Sequence, residues 1–173
     1  MSETHVIRCY EYITRPYEEV RDTLRSDPLG FFQRATTEAA TRARGLVTTL
    51  RVKVGSLDVG ADAVVVVRTI VEEPSAPGIH APRTRLAIEW QAAQAAALFP
   101  SMTAELSVYP LAKDETQIDF YGRYTPPLGL FGEAVDALVG HRIAEASVHR
   151  FVEDLAARLR QELSQPRKVS AIA

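Results

Sequence analysis

The sequence predicts an α+β domain, a curved antiparallel sheet of about six or seven strands wrapped around a long C-terminal helix, with two short helices after the first strand. Three observations carry that reading. An alternating stretch at 118–124 passes through the turn Thr125-Pro126-Pro127-Leu128-Gly129 into a helical pattern over residues 131–163. Strand signals dominate residues 46–124, and their connections are too short for parallel crossovers. No repeat and no second core interrupts the order. Residues 1–163 therefore read as a single domain, and 164–173, with Pro166 and little apolar periodicity, as a flexible tail.

Taken in order, Val6, Cys9 and residues 10–13 supply β-forming side chains and predict a first strand over 5–13. Thr14 and Pro16, followed by Glu18 and Glu19, signal a helix start, because proline suits the first turn and carboxylates favour the positive end of the helix dipole. Tyr17, Val20 and Leu24 then share a face. Asp27-Pro28 restarts the pattern, and Leu29, Phe31 and Phe32 predict a second short helix, whereas residues 33–44 give no settled signal. Leu50, Val52 and Val54 alternate with Thr49, Arg51 and Lys53 before a turn at Gly55-Ser56, the pattern of a hairpin. On the returning strand the face opposite Val65 and Val67 changes from Asp58, Gly60 and Asp62 to Val64 and Val66. Its latter half is expected to be buried on both sides. A Pro-rich loop over 73–82 precedes three further strand patterns: Leu86, Ile88 and Trp90; then Ala104, Leu106 and Val108; then, after Lys113-Asp114-Glu115, residues 116–124.

A chain of 173 residues suits one domain, and 46% hydrophobic with 24% charged residues excludes a largely disordered one. A net charge of -2 with scattered basic residues gives no reason to expect nucleic acid as a partner. Cys9 is the only cysteine, which excludes an intramolecular disulfide and a zinc site built from several thiolates. The first five residues lack the basic-then-apolar order of a secretory signal, and no apolar run approaches about 18 residues. A cytoplasmic protein without stable membrane insertion is the expectation. No phosphate loop, nucleophile elbow, redox cysteine pair or zincin motif is present, so neither a cofactor nor a metal is expected.

In the long helix, Ala134, Ala137, His141, Ala144, Val148, Phe151, Leu155 and Leu159 keep to one stripe at about 100° per residue. This stripe faces the sheet. It is small around Ala137, Gly140 and Ala144 and bulky from Val148 onward, and the small half either approaches the sheet closely or leaves room for a ligand. Val135, Leu138, Val139 and Ile143 lie off the stripe as a second apolar face.

The strand-to-helix opening Glu11-Tyr12-Ile13-Thr14-Arg15-Pro16-Tyr17-Glu18-Glu19-Val20 and the closing run from Phe120-Tyr121-Gly122 through Pro126-Pro127-Leu128-Gly129 resemble the START-like superfamily. This is the helix-grip or Bet v 1-like fold, which includes polyketide cyclases and lipid-transfer modules. The resemblance covers most of the chain, and its motifs specify architecture and not activity. Members commonly carry an aromatic residue after Glu-Glu-Val, where this chain has Arg21. It implies a pocket between sheet and C-terminal helix for an apolar or amphipathic small molecule.

The residues expected to bind that ligand are Trp90, Leu106, Phe120, His141, Ala144 and Val148. His141, a polar residue in an apolar stripe, either orients a ligand or carries a proton, or is a core histidine bonded to a backbone carbonyl or buried water. His141, Glu145 and His149 share the i, i+4 spacing of metal ligands, but only His141 points squarely inward. Tyr109, Tyr121 and Tyr124 offer hydroxyls, with strand alternation sending only some inward. Asp119, Arg123 and Glu89 form either a catalytic constellation or cross-strand pairs facing solvent. The leading expectation is binding or transport of a hydrophobic small molecule or lipid. The alternatives are a polyketide cyclase or dehydratase type of enzyme using His141 and a tyrosine, and a protein-interaction module using the second helical face. A homo-oligomer is compatible with any of these.

Overall fold

The computed structural model describes residues 4–28, 30–32, 63–78, 80–92, 101–125 and 133–164. The first strand, β1 (His5–Ile13), is followed by helix α1 (Tyr17–Ser26) and four strands, β2 (Ala63–Glu73), β3 (Arg83–Ala92), β4 (Ser101–Ala112) and β5 (Glu115–Thr125). The long helix α2 (Glu133–Ser164) closes the described chain. The described strands form a single antiparallel sheet of five, ordered β1-β5-β4-β3-β2, which is fewer than the expected six or seven. The expected hairpin at 49–57 lies outside the described residues, as do the tail beyond 164 and the side chains of Val135, Leu138, Val139 and Ile143.

Helix α1 begins where proline and two acidic residues predict it, with Pro16 at the N-cap and Glu18 and Glu19 in the first turn. Tyr17, Val20 and Leu24 are its buried face. Its last residues hand over to a second helical turn that includes Gly30, Phe31 and Phe32. Asp27 caps that turn by accepting the Gly30 N–H at 2.9 Å. A side chain at position 30 would collide with this carboxylate, since an added Cβ would lie 1.9 Å from Asp27 Oδ2.

Register organises the concave face into rows that cross the sheet. His5, Tyr124, Met102, Trp90 and Val65 form one row; Ile7, Gly122, Ala104, Ile88 and Val67 the next; Cys9, Phe120, Leu106, Leu86 and Ile70 the third. Helix α2 crosses these rows, packing chiefly against β1, with Ala144, Val148, Phe151, Leu155 and Leu159 buried along its stripe. Phe151 is the wedge: its ring lies 5.9 Å from Phe32, 5.5 Å from Trp90 and 5.8 Å from Phe120. Aromatic contacts of this kind add roughly 0.5–1.5 kcal/mol each to the burial of the ring itself. At the far end Arg160 donates to the Glu11 carboxylate at 2.8 Å and to the Tyr12 carbonyl, tying the helix to β1. Tyr17 shares a buried hydrogen bond with Thr84 at 2.7 Å, which fixes α1 across the same end.

The latter half of the second strand is not buried on both faces as expected. Val65 is 1% exposed, but Val66 is 37% exposed, and beyond the register shift at Val67 and Thr69 both Ile70 and Val71 are exposed. The reason is facing for Val66 and Val71, which pair with Glu89 and Arg85 on the side of the sheet away from α2, and edge position for Ile70, which shares the Leu86 side on a strand at the opposite edge from β1.

Two outcomes follow from the packing. An added Cβ at Gly122 would lie 2.7 Å from both Met102 Sδ and Phe120 Cε1, so Gly122→Ala should lower stability by about 1–3 kcal/mol in urea denaturation. Burial, with the negative charge of Asp119 adding to it, pushes the Cys9 thiol up from 9.0 to about 12. The native thiol keeps a proton that the unfolded chain loses, so stability should fall as pH rises between 9.0 and about 12, and Cys9→Ala should flatten that limb of a pH–stability curve.

Candidate functional site

The two ends of the grip differ. The Tyr17–Thr84 hydrogen bond of α1 and the Arg160 contacts lie toward Ile13, whereas His5, Tyr124 and His141 gather at the other end. There β5 projects Phe120, Gly122 and Tyr124 onto the concave face, as period-two alternation requires, and Tyr124 is 1% exposed. The stripe of α2 delivers His141 to the same place, one turn before Ala144.

Tyr124 Oη lies 2.6 Å from His141 Nδ1, and His141 Nε2 lies 3.2 Å from Glu145 Oε1. A carboxylate only accepts, so in a neutral imidazole a proton on Nε2 toward Glu145 leaves Nδ1 to accept from the tyrosine hydroxyl. His5 stacks on Tyr124 with ring centroids 5.5 Å apart, and the two histidine rings are 6.2 Å apart. Burial and the Glu145 charge together hold the Tyr124 phenol above its ordinary pKa. The hydroxyl is therefore a neutral, oriented group whose lone pairs can still accept a hydrogen bond.

Beside it lies the row of small residues. Ala104 and Gly122 are neighbours on β4 and β5, and the Met102 thioether and the Phe120 ring fold over the glycine. Methionine is unbranched and polarisable, which makes it the side chain best able to repack around a guest.

The six residues expected to bind a ligand separate into two groups. Trp90, Leu106, Phe120, Ala144 and Val148 are all in the buried core, with Trp90 and Phe120 packed on Phe151 and Leu106 opposite Phe120. His141 stands apart from the Phe151 cluster, with its side chain 40% exposed, hydrogen-bonded to Tyr124 and within ion-pair distance of Glu145. His149, one turn beyond Glu145, is exposed. Tyr121 is exposed on the convex face under Arg123, and Tyr109 lies on the same face under Arg83 at 4.8 Å. Asp119 pairs with Arg8 at 2.8 Å and Glu89 with Arg68 at 2.6 Å, so the suggested Asp119, Arg123 and Glu89 constellation is a set of separate convex-face contacts. Sequence reasoning missed His5, Met102 and Gly122. Gly122 shares β5 and its face with Tyr124 by alternation, whereas only register brings His5 and Met102 to Tyr124, and no local pattern reports that register.

Among the described residues, no cluster of three or more His, Cys, Asp or Glu side chains is arranged to hold a metal ion, and no helix is long and apolar enough to cross a membrane.

No family model and no curated protein matches the sequence. Solved structures match it over nearly its whole length. The Zhui aromatase/cyclase from Streptomyces sp. R1128 superposes with a TM-score of 0.53 at 11% identity, covering 93% of this chain and 96% of its own. TTHA0849 from Thermus thermophilus superposes with a TM-score of 0.51 at 15% identity, covering 93% of this chain and 100% of its own. At such identities the likeness concerns architecture alone. With its five described antiparallel strands closed by one long C-terminal helix, the chain has the helix-grip fold.

Proposed function

We propose that this protein binds a small, largely apolar molecule carrying one hydrogen-bonding group, held between the sheet and α2 at the His5 end of the grip. The observation that carries the reading is the Met102 thioether folded over Gly122 beside the buried Tyr124 hydroxyl. A movable apolar side chain over a residue without one is a place where a guest can exchange for packing, and the neighbouring phenol can accept the guest's single polar contact. Trp90, Phe120 and Ala144 would form the apolar walls, while Leu106 and Val148 would serve the packing behind them. Carriage of a hydrophobic molecule or lipid fits this arrangement, since the interior face offers area and one polar anchor.

Thermal unfolding and native mass spectrometry against a panel of aromatic ketones and medium-chain fatty acids test the reading. A ligand at 100 times its Kd should stabilise the fold by about 2.7 kcal/mol, which raises Tm by roughly 5–10 °C for a chain of this size. Ala104→Phe should abolish that shift while the protein stays folded, because it fills the row beside Gly122. No bound species and no stabilisation by any member of the panel would overturn the proposal.

A further inference from the structure

Strand β1 stands at one end of the sheet order, and among the described residues no strand pairs with its outer side. It runs nine residues without a proline or a register shift, features that ordinarily keep an edge from pairing with another chain. Val6, Tyr10 and Tyr12 are exposed on its face away from α2. The opposite edge is built differently, because the register shift at Val67 and Thr69 breaks the regularity of β2.

The exposed groups of β1 are already held in place. Asp119 accepts from Arg8 Nε and Nη2 at 3.3 and 2.8 Å, which fixes the guanidinium plane, and the Tyr10 and Tyr12 rings meet edge-on at 5.4 Å. The Tyr12 carbonyl accepts from the Arg160 side chain, which marks it as facing away from β5. Alternation then turns the backbone groups of Val6, Arg8 and Tyr10 to the same outer side.

We propose that β1 pairs antiparallel with β1 of a second copy of this chain, about a two-fold axis at Cys9, joining the two sheets into one. Cys9 is the midpoint of the strand, so its whole length pairs. Arg8 meets Tyr10 of the second copy and Val6 meets its Tyr12, and symmetry makes each contact twice. A guanidinium against a phenol ring and an aliphatic side chain against an aromatic one are both favourable cross-strand pairs. Other registers lose this match. Centring on Arg8 opposes two guanidinium groups, centring on Ile7 leaves Tyr10 and Tyr12 without partners, and centring on Tyr10 does the same to Val6. A slip of one residue sets outward side chains against inward ones. The pairing goes beyond the binding proposal and does not depend on it.

Sedimentation velocity of the whole chain from about 5 to 500 µM tests the pairing, a range suited to an interface at the small end of specific ones. The expected result is a reversible shift from the mass of one chain to that of two. Tyr10→Arg sets a like charge opposite Arg8 at both symmetry-related positions and should weaken dimerisation about 10-fold or more. Arg8→Glu combined with Tyr10→Arg restores opposite charges and should recover the dimer. Tyr10 is in register with Asp119, so an arginine there has a carboxylate within its own chain and the fold should hold, which circular dichroism checks. Val6→Lys leaves Arg8 and Tyr10 in place, adds a charge to the edge, and should also favour the monomer. A chain that stays monomeric at the highest concentration, a dimer that neither Tyr10→Arg nor Val6→Lys weakens, or a double variant no better than Tyr10→Arg alone overturns the proposal.

Discussion

The structure depends on one wedge, the Phe151 ring of α2 seated among Phe32, Trp90 and Phe120. Those partners come from the turn after α1, from β3 and from β5, so a single side chain unites the three parts that have to be brought together. Truncating a buried ring of this kind typically costs about 3–5 kcal/mol, a large fraction of the stability of one domain. The wedge also sets the height of the helix above the sheet. Residues beyond it, Leu155, Ala156 and Leu159, are fully buried, and Arg160 ties the end of this segment to Glu11 on β1.

Fixing one half of the helix so firmly also positions the polar residues on the other. His141 precedes Phe151 on the same stripe and inherits its direction from that anchor, which aims the imidazole at Tyr124. Tyr124 in turn is aimed by strand alternation and by its ladder partners, His5 on one side and Met102 on the other. The polar chain is therefore built on a helix and a strand, elements that hold geometry more closely than loops do. Among the described residues it crosses the helix–sheet boundary through the 2.6 Å hydrogen bond between Tyr124 and His141 and the ring contact of His5 with His141.

The architecture was legible where the physics is local. Pro16 with Glu18 and Glu19 announced α1, alternation announced β3 to β5, and the stripe from His141 to Leu159 announced the inward face of α2. The buried state of Trp90, Leu106, Phe120, Ala144 and Val148 followed from those periodicities. Burial, however, does not distinguish a wall from packing, and most of that set packs in the core around Phe151. Val66 shows the same limit from the other side, because its exposure depends on which face of the sheet the helix covers, and Val65 beside it on the covered face is buried. The meeting of His5 with Tyr124 depends on strand register across more than a hundred residues, and that of Met102 with Tyr124 on the register of the β4–β5 pair. Neither register nor helix placement leaves a signature within a short window of sequence.

Nitrogen-15 NMR of the His141 imidazole tests the central claim most directly, since long-range nitrogen–proton correlations distinguish the two ring nitrogens without any ligand. The expected result is a neutral ring with its proton on Nε2 toward Glu145 and a bare Nδ1 accepting from Tyr124, and loss of that single-tautomer signature in Tyr124→Phe. A ring protonated on Nδ1, or one exchanging between tautomers as in free histidine, would contradict it.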